Sequence, residues 1–154
     1  AQCVIVGDAL DTLGMEVPEF DSVTEAHLQS LLPAHAPPAR NPVDLGGPGP
    51  DPNMHADVLE MIASLAYIDG IITAPISIAN RETLSDRDQA ILNRVTSIPQ
   101  KYGTPLILNG FRGASFDDAA LQRYRTAGIP AFFAEDCARA MYALSRYGEV
   151  GLIQ

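Results

Sequence analysis

Short apolar runs rich in β-branched residues alternate with segments of helical period along this chain, and that alternation restricts its folding more than any other feature. Ile71-Ile72-Thr73-Ala74, Pro105-Leu106-Ile107-Leu108 and Ile129-Pro130-Ala131-Phe132-Phe133 read as strands, and residues 15–20 as a further short one. Between them, residues 24–32 form a helical segment with Ser22 or Thr24 available as its cap. Asn53 is placed to cap a longer helix through residue 67, in which Val58, Ile62 and Leu65 recur on one face. A polar helix over 85–102 ends at Gly103, another over 117–127 ends at Gly128, and a last one covers 135–147. Strands and helices joined by short turns predict right-handed crossovers and a parallel sheet covered on both faces, a three-layer doubly wound α/β domain. Residues 1–14 admit two forms: a strand at Cys3-Val4-Ile5-Val6, slightly favoured by its β-branched content, or a helix over 1–13 stopped by Gly14.

A length of 154 residues suits one domain with a real core, and a mean hydropathy of +0.05 fits a globular chain. The net charge of −9 repels phosphate backbones and anionic lipid, so nucleic acid and membrane surfaces are poor partners. Cys3 and Cys137 stand far apart without metal-type spacing, and they read as two buried apolar thiols in a reducing compartment. No metal is expected on this chain. No apolar run approaches the roughly 20 residues of a membrane span, and the opening residues lack a secretory signal pattern, so the expected location is cytoplasmic.

One stretch breaks the alternation. Residues 33–53 are crowded with proline and glycine, including Gly46-Gly47-Pro48-Gly49-Pro50, and must be loop. A loop this long within a compact domain is more often functional than idle. Asn41 and Asp44 can tie it through side-chain to backbone bonds, while Gly46, Gly47 and Gly49 allow a ligand close to the backbone. Asn109-Gly110-Phe111-Arg112 follows a strand and points at the carboxyl rim of the sheet, where wound folds bind ligands. His27, His35 and His55 read as exposed or capping side chains. Asp117-Asp118 and Glu135-Asp136 begin helices and read as caps, and Tyr124, Tyr142 and Tyr147 as partly buried packing.

Gly14-Met15-Glu16-Val17-Pro18-Glu19-Phe20, then Leu31-Leu32-Pro33, then Asn41-Pro42-Val43-Asp44-Leu45-Gly46-Gly47 follow one another in an order that resembles a known family. It is that of the carboxy-terminal CoA-ligase domain of ADP-forming acyl-CoA synthetases, related to the carboxy-terminal part of the succinyl-CoA synthetase β subunit. Ala127-Gly128-Ile129-Pro130 and Glu135-Asp136-Cys137-Ala138-Arg139-Ala140 look like that domain's last strand and helix. The resemblance covers nearly the whole chain, with Asn-Pro-Val-Asp-Leu its most specific part. It implies a flavodoxin-like fold and a helix, not a strand, over residues 1–13. In that family a strand and a glycine-rich turn come before this helix. The sequence begins after both, so the expectation is a fragment of a larger enzyme, or a strand borne on a separate piece.

The family reaction is acid + CoA + ATP ⇌ acyl-CoA + ADP + phosphate, passing through a phosphohistidine. The resemblance implies that the histidine and the nucleotide lie on other domains, so no catalytic residue is expected in this chain and no turnover from it alone. The implied ligands are CoA and phosphate, shared with a CoA-binding and an ATP-grasp domain of the same enzyme in a homo- or hetero-oligomer. By the same resemblance, the turn after Ile71–Thr73 faces the phosphohistidine, with Ser77, Asn80 and Arg81 as donors. Pro75-Ile76 occupies the place of a Gly-Gly pair in the succinyl-CoA synthetase relative. The expected CoA- or phosphate-facing set is therefore Asn41, Asp44, Gly46, Gly47, Gly49, Ser77, Asn80, Arg81, Asn109 and Gly110. A non-catalytic acyl-CoA-binding or regulatory module of the same fold is the alternative.

Overall fold

The computed structural model describes residues 2–47, 50–78, 83–110 and 119–151. Their elements run α1 (Gln2–Thr12), α2 (Ser22–Leu31), α3 (Pro52–Ala63), β1 (Ile71–Thr73), α4 (Asp86–Thr96), α5 (Ile98–Tyr102), β2 (Leu106–Asn109), α6 (Ala119–Thr126), β3 (Ala131–Phe132) and α7 (Ala134–Gly151). The strands form a parallel sheet in the order β1-β2-β3, with Ile71 opposite Leu106 and Leu108 opposite Ala131. The opening segment is helix, as the resemblance implied.

Every residue of β2 is buried, because the strand is covered on both faces. Leu106 and Leu108 join Ile71 in a cluster with Ala56 and Leu59 of α3, Leu92 and Val95 of α4, and Tyr124 of α6. Ile107 points the other way, against Cys137 and Met141 of α7, with Ile72 beside them. Alternating side chains therefore place helices on both faces, and α1 lies along α7. This is the three-layer, flavodoxin-like α/β arrangement expected. Helix α3 has a second apolar side: Val58 packs with Phe20, Leu28, Leu32 and Ala39, joining α2 and the long loop to the body. Burying a side chain of this size contributes roughly 1.5–3 kcal/mol. Arg94 of α4 donates at 2.6 Å to both Asp57 and Glu60 of α3, clasping the two helices at the surface. Those bonds, Asp57's first, hold its guanidinium still more firmly in the charged form.

Several expectations need correction. Residues 15–20 form no strand; among the described residues no neighbour pairs with them, and Pro18 lacks a ladder donor. The helix expected over 85–102 is two, α4 and α5, parted at Ser97. Pro99 has no N–H to offer the preceding turn, and its ring clashes with the carbonyl four residues back. Asp21, not Ser22 or Thr24, caps α2, its Oδ1 accepting from the amides of Val23 and Thr24. Those bonds, Thr24's above all, lower its pKa. Asp51, not Asn53, caps α3, with Pro52 in the first turn, where a missing N–H costs nothing. Cys3 is exposed, on α1, while Cys137 is buried. Tyr124 is core, but Tyr147 is 79% exposed. Residues 117 and 118 lie outside the described residues.

His55 is not exposed either. It is 2% accessible, in the first turn of α3, and its Nε2 lies 3.0 Å from Thr73 Oγ1 at the end of β1. Thr73 gives its one hydroxyl proton to the carbonyl of Ala74, so towards His55 it accepts. Nε2 therefore carries the imidazole proton, and Nδ1 is a buried acceptor with no partner among the described residues. Burial pushes the pKa of His55 down from 6.5 to about 4. A second long-range tie is the hydroxyl of Tyr124, which accepts from the buried amide of Ile76 at 3.3 Å and fixes the turn after β1.

Two outcomes follow from these buried polar groups. Tyr124→Phe leaves the Ile76 amide unpaired and should cost about 1–3 kcal/mol, read as a fall of several degrees in Tm by calorimetry. For His55 the unfolded chain binds the proton more tightly than the fold does. Its stability contribution is thus complete above pH 6.5, falls as pH drops towards about 4, and is flat below. In urea titrations the wild type should lose about 1 kcal/mol more than His55→Gln between pH 7.5 and pH 5.5; equal losses would refute the burial of a neutral imidazole.

Candidate functional site

Helix α3 leads into β1 from the opposite direction, so its first turn meets the carboxyl end of that strand. The contact between His55 and Thr73 fixes this meeting at 3.0 Å. The long loop ends where α3 begins, and it therefore lies on the same rim as the strand ends, where wound sheets bind ligands.

The loop is held by its own polar groups. Asn41 donates through Nδ2 to the carbonyl of Pro18 at 3.0 Å, fastening the bend to the segment before α2. The Asn41–Pro42 peptide bond is cis. Asp44 Oδ1 accepts from the amide of Gly46 at 2.9 Å, an Asx turn of the kind these residues favour. His35 Nε2 donates to the carbonyl of Gly46 at 2.8 Å, and a carbonyl only accepts, so the proton sits on Nε2. Val43 and Leu45 pack into the cluster of Phe20, Leu28, Leu32 and Val58. Gly46 turns with φ +87, and a Cβ there would stand 3.1 Å from both Ala36 Cβ and Pro33 Cγ, so the residue cannot grow without moving the loop.

Asn41, Asp44, Gly46 and Gly47 thus lie together on the loop. Ser77, half-buried, follows β1; Asn109, buried, ends β2, and Gly110 follows it. The amide of Gly110 donates to Phe132 O at 2.8 Å, so this donor belongs to the sheet. Likewise the Gly46 amide is taken by Asp44, whereas Gly47 (φ +132) has no amide partner among the described residues. Gly49, Asn80, Arg81 and Arg112 lie outside the described residues.

Sequence reasoning missed a cavity of about 450 Å³ between the end of α2 and the start of α3. Leu31, Leu32, Leu45 and Met54 supply its apolar walls. His35, Gly47 and Asp51 form its polar margin. The Asp51-Pro52 pair, a capping residue followed by a first-turn proline, was the available signal that α3 starts beside the glycines. Asp51 is engaged on both sides, accepting from the Met54 amide at 3.0 Å and facing Arg87 at 3.4 Å. Asn41 also borders a smaller cavity of about 250 Å³, with Glu19, Glu25 and Arg40.

Among the described residues no group of three His, Cys, Asp or Glu side chains is arranged to hold a metal. The thiol of Cys137 donates to Leu108 O at 3.5 Å, and burial pushes its pKa up to about 11, so it is no nucleophile. No helix among the described residues is long and apolar enough to cross a membrane.

No family model matches the chain, and no curated protein does. Among solved structures it is similar to PH0766 from Pyrococcus horikoshii OT3, with a TM-score of 0.63 at 24% sequence identity. The match covers 93% of this chain and 32% of that one, so the chain spans about a third of that neighbour's length. At this identity the likeness is one of fold.

Proposed function

We propose that this chain is a CoA-ligase-type domain of an NDP-forming acyl-CoA synthetase. In this reading it completes the CoA and phosphohistidine site for acid + CoA + ATP ⇌ acyl-CoA + ADP + phosphate, alongside CoA-binding and ATP-grasp domains. The observation that carries the reading is the Asn41-Pro42-Val43-Asp44-Leu45-Gly46-Gly47 bend, held by side-chain bonds at the end of α3 that touches the carboxyl end of β1. A bend in that place can present backbone and apolar surface to a ligand carried by a neighbouring module. The domain's part is then to bind and position; no residue of this chain is assigned a bond-making role.

One observation favours a second reading, a non-catalytic module that holds acyl-CoA. The amides of Gly46 and Gly110, two donors otherwise assignable to phosphate, are already occupied within the chain. A domain with those donors spent is better suited to the organic part of CoA than to a phosphoryl group.

Calorimetric titration with CoA tests the shared element of both. Gly47→Val places a side chain at φ +132 on the cavity margin and should weaken CoA by about tenfold or more, close to 1.4 kcal/mol. Unchanged affinity would count against the loop as a CoA contact. The polypeptide alone should form no ATP from acetyl-CoA, ADP and phosphate in a luciferase-coupled assay; measurable formation would sink the assignment of the chemistry to other domains.

A further inference from the structure

We propose that the smaller cavity, between the start of α2 and the residues just before Pro42, binds a free basic amino acid: one carboxylate and two ammonium groups on a short aliphatic chain. Nothing in this site depends on the acyl-CoA reading. At about 250 Å³ the space is smaller than the roughly 300–1,000 Å³ of drug-sized ligand sites, so it suits a metabolite of amino-acid size. Glu19, Phe20, Glu25, Arg40 and Asn41 line it, so two carboxylates and one guanidinium share a space bordered by a buried aromatic residue.

Both walls are fixed by the chain itself. Asp21 caps α2 through the amides of Val23 and Thr24, holding the first turn that carries Glu25 to the segment that bears Glu19 and Phe20. Across the cavity the amide of Ala39 donates to Gln29 Oε1 at 2.9 Å, and Asn41 Nδ2 donates to Pro18 O at 3.0 Å. The backbone of Arg40 is thus pinned on either side, while its guanidinium makes no hydrogen bond or ion pair with the described residues. The carboxylates of Glu19 and Glu25 have no partner among the described residues either. Opposite charges that share a cavity and stay apart leave charge-assisted bonds for a bridging ligand to make. A single exposed pair is worth about 0–1 kcal/mol, so affinity depends on several being engaged at once.

The charges of the lining select the ligand. Asp21 already occupies the amides of Val23 and Thr24 at the head of α2, so an anion is met by Arg40, whose planar fork matches a carboxylate in two bonds. Two carboxylates in the same lining call for two ammonium groups. A neutral amino acid leaves one of them unmatched, and an acidic one adds repulsion. Asn41 spends one Nδ2 proton on Pro18 and keeps Oδ1 as an acceptor for an ammonium proton. Phe20, 7% exposed, borders the space with carbon, against which methylenes lie more favourably than charge.

Calorimetric titration of the intact chain with three probes tests this: L-lysine, cadaverine, which lacks the carboxylate, and 6-aminohexanoate, which lacks the α-ammonium. Lysine should bind saturably with a Kd below about 1 mM, and each of the other two should bind about tenfold more weakly. Arg40→Gln should cost lysine about tenfold and leave cadaverine unchanged, so that the preference for the carboxylate disappears. Glu25→Gln should weaken lysine and cadaverine alike, by about tenfold. Should either variant fail to fold, the ranking of the three probes on the unaltered chain decides. Lysine that does not saturate in this range overturns the proposal. Cadaverine bound as tightly as lysine overturns it too, leaving only an acidic patch, as does a preference for lysine that survives Arg40→Gln.

Discussion

The burial of β2 on both faces is the constraint from which the remaining structure follows. Its four side chains are all shielded, and its backbone pairs with β1 on one side and β3 on the other. A strand so placed needs helices above and below, because neither apolar face tolerates water. Leu106 and Leu108 recruit α3, α4 and α6, and Ile107 recruits α7. Helix α3 carries the effect outward, since its second apolar side gathers α2 and the long loop around Val58. The loop's position is thus a consequence of the core two layers away.

That geometry also decides the electrostatics of the rim. Each helix that returns antiparallel to a strand brings its amide end to the carboxyl edge, which is inherently suited to anions. At α3 this tendency is answered within the chain, because Asp51 occupies the Met54 amide and Pro52 brings no N–H. Asp44 does the same to Gly46 in the adjacent bend. Two carboxylates of an acidic chain thus sit on donors that a phosphate would seek.

Local signals carried most of the architecture. Helical period and β-branched runs marked the elements at 71–74, 105–108 and 135–147, since these patterns report directly on one or two buried faces. Less was legible wherever a distant partner decides. Residues 15–20 have the composition of a strand, yet a strand exists only beside another, and no pairing partner can be read from the segment itself. The burial of His55 was within reach: it falls four residues before Leu59 on the inward stripe of α3. Its bond to Thr73 was not, and neither was that between Tyr124 and Ile76, 48 residues apart. In the candidate site the Asx turn at Asp44 followed from residue type. The cavity did not, because it arises where the end of one helix and the start of another meet across a loop.

The two thiols of this molecule live in opposite surroundings, one on the outer surface of α1 and one sealed beneath the sheet. A thiol reagent applied to the native molecule therefore meets a single reactive position, and gains a second only when α7 lifts from β2. The chain carries its own gauge of that opening, and a dye or cross-linker placed at Cys3 reports on α1 without disturbing the interior.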